Sequence, residues 1–318
     1  MKLNTILPVA LLMMAVSACQ NENEPNLAYQ NDPDAVQINP TIRMLQSRVN
    51  TTGDGDTWTN GDQIKVNMVA GSTAAGKTSA VYKYTSSSWA LQGSDYMAWP
   101  ANNDAVDCTF EAFYPYAEGT SSSFTNFVVP SDQSTEDKIK SADWMLASTT
   151  TKKVESVALP FKHQLAKLTV RITQYGSAYN PIPTIKDPQF YKPSTYTVPM
   201  GKKMQVEGNT AMLRGLMKED KSAAKKHSFT ILLIPGKYNG AANFMKLNVN
   251  REDVVVSAGT NEVLTKTGLQ PGKAYTFNLV MGKTDPEGPI TIGDVTIEDW
   301  ETGNLQGEPG GDANEFTE

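Results

Sequence analysis

Histidine and cysteine are almost missing from these 318 residues, with two of each. The histidines, His163 and His227, stand far apart, and neither has another His or a Cys at metal-ligand spacing. No zinc pair, phosphate loop or dinucleotide fingerprint occurs, and no serine sits in a nucleophile elbow. A Ser-His-Asp triad is assembled in space, so sequence alone leaves that possibility open. Basic charge is also scarce: 28 Lys and Arg against 34 Asp and Glu give a net charge of −6. A nucleic-acid binder needs a concentrated basic footprint, and none is present. Long apolar runs are lacking except at Ile6 to Val16, which is shorter than the roughly 20 residues needed to span a bilayer. No long stretch carries a helical period. Asp54-Gly55-Asp56 lacks the full calcium-ligand series and its closing Glu, and reads as a turn. No metal, cofactor or enzymatic activity is expected.

The chain begins as an export leader. Lys2 is followed by the apolar run, then by small Ser17 and Ala18 before Cys19, the pattern of a signal cleavage site. Val16-Ser17-Ala18-Cys19 resembles a bacterial lipobox. That resemblance implies cleavage between Ala18 and Cys19, lipidation of Cys19 and anchoring to the outer membrane by its acyl chains. Polar, acidic Gln20 to Asn26 follows, resembling the surface-export signal of Bacteroidetes lipoproteins through Glu22 and Glu24. With Cys19 lipidated, Cys108 has no disulfide partner and reads as a small buried hydrophobe.

Short alternating runs fill the rest: Ile64–Val69, Val81–Tyr84, Leu168–Ile172, Phe229–Ile234, Lys246–Asn250, Val254–Val256 and Tyr275–Val280. Period-two alternation predicts strands with one buried face. Gly, Pro, Asn and Asp clusters separate them. Short helical turns are expected near Asp137–Lys140 and Leu213–Lys218. Many short strands with intervening turns predict an all-β sandwich or barrel. The pattern restarts at Val157 after a polar stretch. The expected organisation is a signal peptide at 1–18, a flexible tether at 19–34, an N-terminal domain at 35–156, a C-terminal domain at 157–306 and a disordered tail at 307–318.

Trp58, Trp89, Trp99, Trp144 and Trp300 admit two readings, core packing or a sugar-stacking platform. Exposure discriminates between them.

Trp58-Thr59-Asn60-Gly61-Asp62-Gln63-Ile64-Lys65-Val66 resembles the opening motif of Bacteroidales fimbrillins. Tyr96–Pro100, Cys108–Pro115, Ala142–Ala147, Leu159–Leu168, Leu233–Gly236, Pro271–Tyr275 and Ile297–Trp300 resemble further stretches of that family, in order, covering most of the chain from Val36 to Trp300. The resemblance implies two tandem transthyretin-like β-sandwich domains. It implies a structural subunit of a type V pilus, exported as a lipoprotein and serving adhesion. Assembly in that family resembles donor-strand exchange. A protease of Arg or Lys specificity removes the first strand, and a strand from another subunit fills the groove by β-augmentation.

Val36 to Leu45 reads as that first strand, with Val36, Ile38 and Ile42 alternating inwards and Pro40 confining it to an edge or bulge. Arg48 follows in a polar stretch, at the position where the family carries its processing residue. The expected cut therefore lies between Arg48 and Val49, with Arg43 second because it lies within the strand. A solvated surface charge is the alternative reading of Arg48. Thr291–Ile297 is a candidate donor strand, unless its own domain uses it. Shaft and tip or accessory positions both stay open. The expected location is the outer membrane first and the surface fimbrium afterwards. Expected partners are other pilus subunits, the processing protease and an undefined host or bacterial surface ligand. A stand-alone glycan-binding surface lipoprotein is the competing function.

Overall fold

The computed structural model describes residues 27–42, 58–71, 77–101, 104–117, 126–192, 203–206, 212–219, 227–240, 242–282 and 291–299. Ala18, Cys19, Arg43, Arg48, Val49, the Asp54–Asp56 turn, Trp300 and the tail from Gly307 lie outside the described residues.

The first half runs α1 (Leu27–Asn31), β1 (Ile38–Ile42), β2 (Gln63–Ala70), β3 (Ser79–Thr85), β4 (Ser88–Gln92), β5 (Cys108–Tyr114), β6 (Asn126–Val129), α2 (Glu136–Ala142), β7 (Met145–Thr151) and β8 (Val157–His163). Seven strands join in one sheet, in the order β1-β8-β7-β5-β2-β3-β4. Alternation fixes which face is inside: β2 buries Ile64, Val66 and Met68 and leaves Lys65 and Asn67 half-buried on the other face. Ser86 and Ser87 both adopt positive φ in the two-residue turn between β3 and β4, the geometry that matches strand twist. The sheet rolls around its core. Trp58 touches both Trp89 of β4 (5.0 Å between ring centroids), the last strand in the sheet order, and Phe161 of β8 (5.3 Å), the second. Phe110, Trp99, Leu159 and Val157 fill the space enclosed.

The second half runs β9 (Ala166–Tyr175), β10 (Ile185–Tyr191), β11 (Lys203–Val206), β12 (Met212–Arg214), β13 (Leu216–Glu219), β14 (His227–Leu233), β15 (Asn243–Val249), β16 (Glu252–Ser257), β17 (Lys273–Met281) and β18 (Thr291–Asp299). Sheets ordered β12-β10-β15-β16 and β13-β14-β9-β17-β18 enclose the larger core. Phe190, Phe229, Phe244 and Phe277 are fully buried there. Each such side chain contributes roughly 1.5–3 kcal/mol over its exposed state. The expected all-β architecture is therefore present, with one rolled sheet in the first half and two packed sheets in the second.

Three details differ from the sequence reading. The boundary expected between 156 and 157 is displaced, because β8 pairs with β1 and β7 in the N-terminal sheet. The C-terminal sheets begin with β9, at Ala166. The tether expected to run to residue 34 ends sooner: α1 and Asp32 to Asp34 fold against the N-terminal lobe. The helical turn expected at Leu213–Lys218 is instead two strands on different sheets, β12 and β13. Gly215 joins them where a Cβ would lie 2.8 Å from the Phe190 ring, so only glycine lets the chain cross there. The helical turn expected at Asp137–Lys140 forms within α2, whose start is capped by Thr135 accepting from Lys138 N–H at 3.3 Å.

The lobes are interlocked. Phe127, Ile139, Ala142 and Trp144 precede β7 in sequence yet pack in the C-terminal core. Trp144 stacks on Phe127 with centroids 5.2 Å apart. Gln133, fully buried, pairs with Leu232 like an extra strand residue. Its Nε2 donates to the Leu232 carbonyl at 3.0 Å, and its Oε1 accepts from the Leu232 N–H at 2.8 Å.

Candidate functional site

The edge made by β1 is the feature with the most functional content. Among the described residues β1 pairs only with β8, in parallel, from Ile38 opposite Val157 to Ile42 opposite Phe161. Every other strand pairing within that seven-stranded sheet is antiparallel. Val36 is fully buried just before the strand, Pro40 is buried within it, and Ile38 and Ile42 are half-buried against the N-terminal core. Pro40 thus faces inwards, and an edge strand tolerates its missing N–H. Beside β1, in register with Ile38, Pro40 and Ile42, stand Val157, Leu159 and Phe161 of β8, all fully buried. Removing β1 would uncover them and free one edge of β8, an exposed edge of the kind that recruits other strands.

Trp58 caps this edge. Its indole N–H donates to the Pro40 carbonyl at 3.1 Å, and its ring meets Trp89, Tyr114 and Phe161 edge to face. The turn behind it is fixed by Asp62, which is buried. The Asp62 carboxylate accepts from Thr59 N–H (2.8 Å), Thr59 Oγ1 (3.1 Å) and Tyr114 OH (3.1 Å), and pairs with Lys140 Nζ at 2.7 Å. Gly61 adopts φ +99° in this turn. The Trp58–Asp62 stretch is therefore a structural lock. Burial and the nearby Asp62 carboxylate push the Tyr114 hydroxyl far above its ordinary range, so it stays a neutral donor.

The two histidines are packed into the structure too. His163 ends β8, buried, with Nδ1 2.8 Å from Asp143 Oδ1 at the junction of the lobes. His227 sits 2.7 Å from the Tyr175 hydroxyl and stacks on Phe229. Among the described residues no group of three or more His, Cys, Asp and Glu is placed to hold a metal. Trp99 and Trp144 are buried, and Trp58 and Trp89 are half-buried against each other, so these four make no exposed sugar platform. Cys108 is buried, as expected. Among the described residues no helix is long and apolar enough to cross a membrane.

The expected processing residues, Arg48, Val49 and Arg43, belong to the stretch between Ile42 and Trp58 that lies outside the described residues. The candidate donor, Thr291–Ile297, is taken up in its own sheet as β18, antiparallel to β17. Sequence reasoning missed the groups that seat β1 from its N-terminal side: Asp32, Asp34, Lys77, Tyr96 and Lys153. Only the Asp32-Pro33-Asp34 turn signal hinted at them, because their partners are distant along the chain.

The fimbrillin-like family profile matches residues 47–300. A solved structure of a candidate cell adhesion protein from Bacteroides ovatus is 20% identical with a TM-score of 0.58, covering 84% of this chain and 97% of that one. Another candidate cell adhesion protein, from Bacteroides uniformis, is 20% identical with a TM-score of 0.55, covering 77% and 94%. At this identity the two likenesses establish the shared fold. A comparison with curated proteins returns no match.

Proposed function

The chain belongs to the fimbrillin-like family, a structural and non-enzymatic pilus protein, and from that premise we propose that it assembles by strand exchange at the β1 edge. In this reading it is delivered to the outer membrane as a lipoprotein held through Cys19, after cleavage behind Ala18. An Arg- or Lys-specific protease cuts between Arg48 and Val49, with Arg43 the second site. β1 then leaves together with the anchor. A strand from another subunit takes its place on β8, and the resulting type V pilus serves adhesion. Shaft and tip or accessory positions both fit.

The observation that carries this reading is the pairing of β1. It is a single edge strand in parallel register with β8, flanking fully buried Val157, Leu159 and Phe161. A strand held by main-chain hydrogen bonds to one neighbour is replaceable by any strand with suitable alternate side chains. Treatment of the purified protein with an Arg-specific protease, followed by N-terminal sequencing, tests the processing step. A new terminus at Val49 is expected. A chain that stays whole, or is cut only elsewhere, would remove the trigger from this scheme.

A further inference from the structure

Ahead of β1 the chain is fastened to the N-terminal lobe by groups that lie wholly outside the strand. Asp32 accepts from Lys77 Nζ at 2.6 Å and from Tyr96 OH at 2.8 Å. Lys77 also lies over the Tyr96 ring, 4.5 Å from its centroid, and Tyr29 packs its edge on the same ring at 5.6 Å. Lys153 bridges Asp34 (2.8 Å) and Asp104 (3.4 Å). Three main-chain bonds run alongside. Val36 N–H donates to the Met97 carbonyl at 2.9 Å, Trp99 N–H to the Asp34 carbonyl at 2.7 Å, and Val157 N–H to the Gln37 carbonyl at 2.9 Å. None of these contacts involves a residue beyond Gln37 on the strand side, so a break between Ile42 and Trp58 leaves all of them in place.

We infer that residues 27–37 form an ionic strap that keeps β1 seated after the chain is cut. Cleavage then arms the subunit without emptying the slot. A second event, an arriving strand or loss of the two lysine clamps, lets β1 go. This rests on the reading that β1 is the strand released. It adds a retention step that guards the exposed edge of β8 until a replacement is at hand, which suits an edge that would otherwise aggregate. Half-exposed ion pairs are individually weak, each shifting an equilibrium by up to about fivefold, and salt screens them. Two such clamps in series with three main-chain bonds make a retention that is strong in dilute salt and releasable.

The test uses the full chain with a site-specific protease sequence placed between Ile42 and Trp58. It is cut to completion and passed over a sizing column at about 20 mM and at about 1 M sodium chloride. In dilute salt the N-terminal fragment should travel with the body. In high salt it should leave at least about fivefold faster, and the double variant Asp32→Asn with Lys153→Met should do so even in dilute salt. Asp104→Asn should change little, because Asp104 is 74% exposed and the longer of the two contacts to Lys153. The strap is overturned if the fragment leaves at once in dilute salt, or at one rate under all conditions. Should the double variant fail to fold, the salt series on the otherwise native sequence decides alone. Retention is measured on an engineered cut with no donor strand present. An Arg48 that is never processed, or a cut subunit that never joins a fibre, would therefore count against the pilus reading and leave the strap standing.

Discussion

β1 and β18 close outer edges of the two lobes, and they are held in opposite ways. β18 is antiparallel to β17, its immediate predecessor in the strand order. β1 is parallel to β8, a partner from the far end of the same lobe. Burial does not separate them: Ile38 and Ile42 are half-buried in one, Ile292 and Val295 in the other. What differs is connection. A strand joined to its partner by one short link returns to it after any fluctuation. A parallel strand reaches its partner only through a long crossover, so its attachment is tertiary. An edge strand of the second kind is the one a protein can exchange.

Substitutions under each edge sharpen this contrast. Phe161→Ala beside β1 and Phe277→Ala beside β18 should each cost about 3–5 kcal/mol in urea unfolding followed by circular dichroism. Only Phe161→Ala should also speed hydrogen exchange at the Val157 amide, which donates to Gln37. Equal acceleration by both variants would mean that the two edges are coupled. Next in size is Gln133→Ala, which strands the Leu232 N–H and carbonyl inside the C-terminal core. A loss of about 1–3 kcal/mol is expected in the same assay. If Gln133→Ala instead proves neutral, the interlocking of the lobes does not depend on that pair.

A smaller effect should appear with acid. Hydrogen bonds from Lys77 and Tyr96 hold the Asp32 carboxyl at about 2, below its ordinary 3.8. A lowered acid stabilises the folded chain above its unfolded value, and that contribution fades as pH falls from about 4 towards 2. Thermal melts of the native chain and of Asp32→Asn should therefore differ most near neutrality and converge across that window. A gap that stays constant to pH 2 would assign the effect to packing rather than charge. Smallest of all, Ile297→Thr at the exposed edge of β18 should stay within about 0.5 kcal/mol in urea, since Ile297 is 46% exposed.

The strands were legible where alternation was clean, as in β2, β3, β9, β14 and β17. Val36 and Ile38 also marked the first strand, although Pro40 proved to be an inward residue. Partnership was not legible. Val157 to His163 reads as a strand from its own residues, but nothing local tells which sheet takes it, and so the domain boundary was misplaced. Leu213 to Lys218 has an apolar spacing that also suits a helix, and only the crowding of Gly215 against Phe190 reveals the crossing between sheets. Asp32, Asp62 and Gln133 are ordinary polar residues in sequence. Their roles come from Lys77, Lys140 and Leu232, which folding brings to them.

The bond from Trp58 to the Pro40 carbonyl has an optical consequence. An indole packed against Trp89 and hydrogen-bonded to β1 reports whether that slot is filled. Loss of β1 would open this indole to water and shift its emission to the red. Trp144, buried in the C-terminal core, would supply a constant background. The molecule thus carries its own fluorescent gauge of strand occupancy, readable in real time without a label.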